Sequence, residues 1–296
     1  LITSYRAAYG SLKLSKVYSD KINALCFRST SPPYEGKLSS STVSTALDLN
    51  SDIRLSDLGF STKAGTDALL ACIDFVSSRK GVYGLMVASD CPKADIDDPL
   101  EHGLGAGASA FLIGCGGGTT VKFEGSHSSS HEILGERFRR SGRRFIEDIS
   151  MPYYTRGTFH RSVKRSLIVL MMNVDQQPED VEYIAIHQTD IREAIRVARE
   201  CGFNDSQVTP GIVASTIGDT GVNSALLGFI AILDKAKTGD RVFVSSYGSG
   251  SGSNSLSFLV EDKLEKRRGS APILNDYLDD KEYIDYITYL KIRRMI

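Results

Sequence analysis

Apolar positions along the chain follow a strand and helix pattern that begins at Ile22. Residues 22–27 (INALCF) form a short apolar run typical of a buried strand, and the apolar side chains of 66–76 recur at helical spacing. Two further apolar runs, 84–88 (GLMVA) and 108–113 (ASAFLI), are predicted strands. The first half of the chain therefore predicts strand, helix, strand, strand.

The same pattern returns in the second half. The predicted elements are a strand at 181–186, helices at 191–199 and 224–236, and strands at 241–245 and 255–260. In register, GTDALLACIDFV, GLMVA and GAGASAFLI correspond to GVNSALLGFIAIL, RVFVS and GSGSNSLSF. Such a duplication indicates two copies of one supersecondary unit that bury their apolar helices together.

The duplication predicts an α/β fold made of two related halves, residues 1–124 and residues 125–296. Because strands alternate with helices, we expect mainly parallel sheets that are covered on both faces.

Two segments depart from this pattern. The stretch 125–131 is polar and rich in Gly, Ser and His, and 138–160 is rich in Arg and Tyr without clear periodicity. We interpret 138–160 as a surface excursion that could cap a site. The charged segment from Glu261 has aromatic residues at roughly helical spacing, and we interpret it as an amphipathic tail that packs on the body or on a partner.

The balance of charges argues against two classes of partner. The 296 residues carry 35 basic and 36 acidic side chains, for a net charge of −1, so no summed field would attract nucleic acid or an anionic membrane. The longest apolar runs, such as 166–172, are too short to span a bilayer. We therefore expect a protein that binds neither nucleic acid nor membrane.

The cysteines indicate a reducing environment. They are odd in number and scattered without CxxC spacing, which argues against a disulfide framework or a zinc site; they are Cys26, Cys72, Cys91, Cys115 and Cys201. The first residues lack the features of a signal peptide, and we expect a cytoplasmic protein without a metal. The first residue is not Met, and we expect the native chain to begin earlier.

The segment 57–67 (DLGFSTKAGTD) is a polar turn that leads into a predicted buried helix. A side chain at such a helix start lies at the positive end of the helix dipole, beside unpaired N–H groups. That environment suits a nucleophile and an oxyanion hole. The alternative is an ordinary helix N-cap by Ser61, Thr62 or Thr66.

His187 is the one histidine that ends a predicted strand, within His-Gln-Thr-Asp. The carboxyl ends of strands are where open α/β sheets place their sites, although a strand-end histidine can also be a purely structural group. The other four histidines lie in polar surroundings and are predicted surface residues; they are His102, His127, His131 and His160.

Two glycine-bearing turns in the second half are further candidates. Asp219 lies in the turn 215–223 (STIGDTGVN), for which the alternative is a helix cap and a tight turn. The run 245–253 (SSYGSGSGS) offers backbone N–H groups at Gly248, Ser249 and Gly250 for a ligand oxygen, unless it is a flexible linker.

A third glycine-bearing run matches a dinucleotide-binding pattern but lies in the wrong structural context. Residues 105–110 match GxGxxA but precede a strand, so we reject a dinucleotide site.

Motifs spread over nearly the whole chain resemble archaeal and bacterial proteins of the HMG-CoA synthase branch of the thiolase superfamily. In order, they are SPPYEGKLSSSTVSTALDL, STKAGTDALLACIDFV, GAGASAFLIG, YIAIHQTD, STIGDTGVNSALLGFIAILDKAKTGDRVFVSSYGSGSGS and YIDYITYLKIRRMI. The resemblance implies the five-layer αβαβα thiolase fold, dimerisation and a tunnel for the pantetheine of a coenzyme A thioester, with no covalently bound cofactor. Relative to that family, roughly the first 50 residues, with the opening strand, are expected to be missing.

The resemblance also places the family's catalytic residues, and most of them are replaced here. The Cys nucleophile position is Thr62, because STKAGT stands where such proteins have ACKAGT. The Glu position falls on Thr30, and the Asn of the GNT motif falls on Asp219, whereas the His is retained as His187. A Thr hydroxyl needs a dedicated base before it can attack a thioester, and no obvious group replaces the Glu in proton transfer. Condensation by HMG-CoA synthase chemistry is therefore not expected.

These losses leave two hypotheses. In the first, the chain resembles the degenerate synthase-like subunit of the bacterial phloroglucinol acetyltransferase, which makes 2,4-diacetylphloroglucinol, and acts in secondary metabolism. It would be a mainly structural homodimer that binds a thiolase-type subunit carrying the catalytic Cys and a small DUF35 OB-fold protein. In the second, it is an acyltransferase in its own right, with His187 as base and the 245–253 run in the oxyanion hole. A stand-alone type III ketoacyl synthase is disfavoured by the missing Cys.

Overall fold

Strands of the computed structural model form two four-stranded sheets, within the residues that the structure describes, 1–116, 118–149 and 152–296. The strands are β1 (Ile22–Ser29), β2 (Arg54–Gly59), β3 (Tyr83–Asp90), β4 (Gly107–Gly114), β5 (Val121–Ser129), β6 (Tyr183–Ile186), β7 (Arg241–Gly248) and β8 (Gly252–Val260). The helices are α1 (Ile2–Ser15), α2 (Ser39–Ala46), α3 (Ala64–Ser77), α4 (Pro152–Val174), α5 (Ile191–Glu200), α6 (Asp205–Val208), α7 (Ala214–Ile217), α8 (Ser224–Leu233), α9 (Asp262–Arg267), α10 (Leu274–Asp279) and α11 (Tyr286–Ile292). Short 3₁₀ turns join several of them.

The sheets are mixed, so the expectation of mainly parallel sheets is wrong. In the first sheet, of order β2-β1-β3-β4, β1 is parallel to β2 and β3, whereas β4 is antiparallel to β3. In the second, of order β5-β8-β7-β6, β6 is parallel to β7, whereas β8 is antiparallel to both β7 and β5. Two of the antiparallel pairs, β3 with β4 and β7 with β8, join strands that are consecutive in the chain with no α-helix between them.

Five layers, α/β/α/β/α, are held together by three large apolar clusters. The middle cluster packs α3 and α8 between the two sheets, and Phe229 of α8 stacks on Phe258 of β8 with ring centroids 4.8 Å apart. A second cluster joins α1 and α2 to the outer face of the first sheet, and a third joins α4 and α5 to the outer face of the second. The predicted two-half α/β fold and its central helices are confirmed.

Alternation along the strands explains why both faces of each sheet are apolar. In β1, Leu25 and Phe27 belong to the outer cluster and Cys26 to the middle one. In β6, Ile184 and Ile186 face outward, and the small Ala185 faces the central helices. Small residues at inward positions allow two helices to fit between the sheets.

Some elements differ from the sequence expectations. The polar stretch 125–131 is mostly strand, because β5 pairs with β8, and the chain changes sheets between Gly114 and Val121, so the predicted boundary at 124/125 falls inside β5. The excursion predicted at 138–160 ends earlier, because α4 begins at Pro152; residues 150 and 151 of that span lie outside the described residues.

The tail from Glu261 forms α9, α10 and α11 and packs on the body, as expected of an amphipathic segment. Leu290 is buried, and the Tyr286 hydroxyl donates to the Glu101 carboxylate. Across the described ranges, no helix is both long and apolar enough to span a bilayer.

Candidate functional site

Thr62 is buried at the start of α3. It is 8 % exposed, and its hydroxyl donates a 2.8 Å hydrogen bond to the backbone carbonyl of Tyr247. The N-cap residue of α3 is Lys63, whose side chain makes no cap hydrogen bond, whereas the Ser61 hydroxyl accepts from the Lys63 backbone N–H at 3.3 Å in the turn that opens the helix. A backbone carbonyl accepts a hydrogen bond but is not a base that could take the proton of a nucleophile.

Asp90, at the end of β3, fixes the position of Thr30. Its carboxylate accepts hydrogen bonds from the Thr30 backbone N–H (2.7 Å) and hydroxyl (2.8 Å). The same carboxylate accepts from the Ser29 and Ser31 hydroxyls and, at 3.1 Å, from the Val222 N–H in the other half. The Thr30 side chain is thus turned to a structural carboxylate that links the two halves.

His187 follows β6 and is 1 % exposed. Its backbone N–H donates to the Ser245 carbonyl, and its ring lies edge-on to the ring of Tyr247, with centroids 6.5 Å apart. Neither ring nitrogen has a hydrogen-bond partner among the described residues. Burial lowers the pKa of His187 to about 4, with Asp219 opposing and Arg137 assisting the shift, so the imidazole is neutral at pH 7.

Asp219 forms a buried ion pair with Arg137. The two side chains are 3 % and 8 % exposed, and Arg137 Nη1 donates to Asp219 Oδ2. Asp219 also accepts from the Thr189 hydroxyl (3.3 Å) and the Gly221 N–H (3.0 Å). Burial alone would raise the pKa of Asp219, but Arg137, His187 and these hydrogen bonds outweigh it and hold the pKa below its usual value.

A second buried polar pair lies beside the first. The Tyr247 hydroxyl donates to both carboxylate oxygens of Glu136, at 2.9 and 2.7 Å, and Glu136 is 5 % exposed. Burial raises the pKa of Glu136, and the hydrogen bond from Tyr247 opposes this shift. Glu136 and Arg137 are consecutive, so one short stretch supplies both polar partners of the site.

The run 248–250 lies in the turn between β7 and β8 and reaches the start of α3. A Cβ atom on Gly248 would lie 2.0 Å from the Ser61 hydroxyl oxygen and 3.0 Å from the Lys63 backbone nitrogen, so a larger residue here would displace the Ser61 side chain. Gly250 has φ +65°, and its backbone hydrogen-bonds Glu136. The backbone of Gly250 is therefore hydrogen-bonded to a protein carboxylate and is not free to bind a ligand oxygen.

These contacts connect the candidates through Tyr247 and Asp90. Tyr247 touches Thr62 through its carbonyl and His187 through its ring, and His187 lies in the field of Asp219. Thr30 is further away and joins the others through Asp90, whose carboxylate lies against the turn that follows Asp219.

Three residues of this network were missed from the sequence, Asp90, Glu136 and Arg137. The position of Asp90 at a strand end was an available signal. Glu136 and Arg137 lie in a stretch without periodicity, and their partners are 82 to 111 residues away, so no local pattern could identify them.

The remaining histidines are less uniform than predicted. His102 is exposed, and His127 and His131 are half-buried. His160 lies 2.6 Å from the Glu193 carboxylate and is only 15 % exposed, so its assignment to the surface is wrong. The described residues contain no group of three side chains placed to hold a metal ion.

A cavity of about 700 Å³ opens beside Asp219. Its wall includes Thr189, the turn 214–218 and His102, and the Asp190–Arg192 ion pair (3.1 Å) lies at this wall. The cavity joins the polar network to solvent and has room for a slender, polar ligand.

Comparison with known proteins identifies related sequences over nearly the full chain. The chain is 35 % identical to a hydroxymethylglutaryl-CoA synthase of Methanopyrus kandleri over 296 residues, 98 % of this chain and 82 % of the relative. It is 36 % identical to the protein of that name from Pyrococcus horikoshii, over 97 % of this chain and 82 % of the relative. No protein-family model matches the chain.

Solved structures show the same fold at lower sequence identity. The structure of MvaS in complex with 3-hydroxy-3-methylglutaryl coenzyme A superposes with a TM-score of 0.86 and 19 % identity, covering 99 % of this chain and 79 % of that one. The 3-oxoacyl-[acyl-carrier-protein] synthase III of Aquifex aeolicus has a TM-score of 0.77 and 17 % identity, covering 86 % and 83 %. The thiolase fold expected from the sequence is therefore confirmed.

Proposed function

Because the chain belongs to the hydroxymethylglutaryl-CoA synthase family, we propose that it is the synthase-like subunit of a multicomponent acyltransferase and carries no acyl group itself. Family chemistry starts with a thiolate that attacks a thioester, and the residue at that position here is Thr62. The proposal therefore depends on whether the Thr62 hydroxyl could replace a thiolate.

The observation that carries the proposal is the hydrogen bond from Thr62 to the Tyr247 carbonyl. A hydroxyl attacks a thioester only when a base takes its proton during the attack. The proton of Thr62 points to a carbonyl at 2.8 Å. His187, the base considered in the sequence analysis, makes no hydrogen bond to this hydroxyl. The start of α3 keeps the architecture of a nucleophile site without an activated nucleophile.

The other substituted positions support the same conclusion. Thr30 stands where the family has an acid/base Glu, and its hydroxyl is held by Asp90. Asp219 stands where the family has an Asn that can donate a hydrogen bond, and an ionised carboxylate can only accept. Arg137 neutralises the charge of that carboxylate, so the pair suits a structural role.

The proposed assembly follows from the sequence resemblance to degenerate synthase-like subunits. In it, a thiolase-type subunit supplies the catalytic Cys, a small DUF35 OB-fold protein binds alongside, and this chain acts as a homodimer that holds them. We propose acetyl transfer to a phloroglucinol-type acceptor in the cytoplasm as its reaction.

A coenzyme A thioester is the proposed acyl donor. Solved structures of the same fold are described in complex with 3-hydroxy-3-methylglutaryl coenzyme A and with CoA. The cavity beside Asp219, about 700 Å³, is large enough for a pantetheine arm and has a partly polar lining. In the proposed assembly it would receive the arm while the reacting thioester passes to the partner's Cys.

Reconstitution tests the proposal. The chain would be co-expressed with a thiolase-type subunit and a DUF35 OB-fold protein, and acetyl transfer to phloroglucinol acceptors would be measured for all combinations. We expect transfer only when the thiolase is present, and we expect Thr62→Val, which keeps the shape and removes the hydroxyl, to retain the rate within about twofold. Loss of activity in Thr62→Val with the complex intact would contradict the proposal.

One observation favours a second candidate, an independent acyltransferase. His187 is neutral at pH 7, and neither ring nitrogen has a hydrogen-bond partner among the described residues, which is the state a general base requires. This candidate predicts that the chain alone transfers acetyl groups from acetyl-CoA and that His187→Gln abolishes the transfer.

A further inference from the structure

A smaller cavity, of about 360 Å³, lies at the carboxyl ends of β1 and β3. Its wall contains Thr30 and Ser31 after β1, Lys93 after β3, and Arg139 and Arg144 from the stretch that precedes α4. It shares no lining residue with the cavity beside Asp219. The carboxyl ends of parallel strands are common places for ligands in α/β proteins.

The wall is positively charged. Lys93, Arg139 and Arg144 line the cavity and no acidic residue does. Behind the wall, Arg293 from the C-terminal segment donates to the Pro92 carbonyl at 2.7 Å. Four cations from three distant parts of the chain therefore meet around one small space.

Carboxylates of the described residues form no ion pair with these cations. Within the described part of the chain, no ion pair includes Lys93, Arg139, Arg144 or Arg293. Arg139 donates to the carbonyls of Arg143 (3.0 Å) and Thr30 (3.3 Å). Carbonyls orient these guanidinium groups but leave their charge uncompensated.

Two acids adjacent in sequence to this wall, Asp90 and Glu147, are already used by other groups. Glu147 pairs with Arg140 at 3.2 Å, and Asp90 accepts its hydrogen bonds from 29–31 and Val222. Burial lowers the pKa of Lys93, and the charges of Arg144 and Arg293 add to this shift. Both effects describe an ammonium group that lacks a negative partner.

We propose that this cavity binds a small molecule through a phosphate or carboxylate group, with Lys93, Arg139 and Arg144 as its ligands. Guanidinium groups match the oxygen geometry of both anions, and charge-assisted hydrogen bonds are about twice as strong as neutral ones. The bound anion would join the turn after β1, the stretch 139–146 and the C-terminal segment. The site shares Thr30 with the candidate functional site, but its three cationic ligands take no part in the proposed acyl-transfer role.

Calorimetry on the 296-residue chain tests the proposal, with pyrophosphate and citrate as the two probes. Titrations would be run in a phosphate-free buffer, with sodium chloride matched to the ionic strength of each probe, because unspecific charge attraction is screened equally by both. Binding of either probe supports the site, and the preferred probe distinguishes a phosphate ligand from a carboxylate ligand.

Variants locate the binding. Lys93→Gln and Arg144→Gln are each expected to weaken the probe about tenfold, since each removes one charge-assisted contact. Arg143→Gln is the matched control, because Arg143 is exposed on the same stretch but does not line the cavity, and it should leave the affinity unchanged.

Two outcomes would overturn the proposal. One is that neither probe binds above the sodium chloride control. The other is that Lys93→Gln weakens binding no more than Arg143→Gln does. Arg144 hydrogen-bonds the C-terminal segment, so Arg144→Gln could disturb that segment. The Lys93 side chain makes no hydrogen bond to the described residues, so Lys93→Gln should not unfold the chain and tests the site on its own.

Discussion

Asp219 and Arg137 show what a buried carboxylate demands of its surroundings. It adds a buried negative charge, which is costly unless a cation and hydrogen bonds accompany it. Arg137 provides the cation from a stretch that has no regular secondary structure. The pair keeps the site charge-balanced beside a neutral His187.

Removing one member of the pair should therefore destabilise the protein strongly. We expect Arg137→Met to lower the free energy of unfolding by about 3–5 kcal/mol, because it leaves Asp219 buried without a cation. The double variant Arg137→Met/Asp219→Asn should recover most of this loss, since the amide can keep the bond from Gly221. Urea unfolding of the single and double variants measures both, and equal stability of the single variant and the parent would contradict this view.

His187 should make stability depend on pH in a defined window. Its pKa falls from 6.5 to about 4 on folding, so the unfolded chain binds a proton between these values that the folded chain does not. Stability is thus complete above pH 6.5 and declines as pH falls, by about 2 kcal/mol between pH 7 and pH 5 from this group. Urea unfolding at both pH values should show a smaller decline in His187→Gln, and an identical decline would contradict the buried neutral state.

Position relative to elements decides which site residues the sequence reveals. Thr62, His187 and Asp219 lie at a helix start, at a strand end and in a glycine turn, and such positions can be recognised from the sequence pattern. Arg137 and Glu136 cannot be recognised in this way, because they lie in an irregular segment that has no helix or strand end nearby in the predicted pattern. Their roles depend on long-range packing, which a local pattern does not encode.

At the scale of elements, the strands and helices that were found carry a clear apolar pattern, which is continuous in the buried elements and periodic in the amphipathic α5. The central helices α3 and α8 are strongly apolar, and so are β1, β3 and β7. The missed strands β2 and β5 lie at sheet edges and are mostly half-buried, so their sequences carry polar residues. The outer helices α1 and α4 contact the body with one face, but the difference in hydrophobicity between their buried and exposed faces is small.

Close packing of α3 against the second half gives a prediction for Gly65. A Cβ atom there would lie 2.2 Å from the Val222 carbonyl oxygen, so the helix and the turn must separate. We expect Gly65→Ala to lower the free energy of unfolding by about 1–3 kcal/mol, the usual cost of overpacking.

A control in α1 separates packing from helix propensity. A Cβ atom added at Gly10 would meet no neighbouring atom of the described residues within 4 Å, so Gly10→Ala should be neutral or stabilising by up to about 1 kcal/mol. Thermal unfolding of both variants compares them, and a Gly65→Ala protein as stable as Gly10→Ala would show that the two elements are not in tight contact.

At the scale of the whole molecule, the site exists only where the two halves meet. The Thr62 hydroxyl bonds to β7, and Asp90 of the first half bonds to Val222 of the second. The duplication in the sequence was sufficient to predict this arrangement, because two copies of one unit bury their central helices against each other. Partners and acceptor leave no comparable periodic signal, since recognition surfaces depend on exposed residues that no repeat constrains.

The central claim is that this member of the family does not carry the acyl group. Intact-mass spectrometry of the purified chain after incubation with acetyl-CoA tests it most directly, with Thr62→Val as the matched control and Thr62→Cys as the positive one. The account predicts no acetyl adduct on the parent chain or on Thr62→Val, and an adduct on Thr62→Cys. An acetyl adduct on the parent that disappears in Thr62→Val would contradict it.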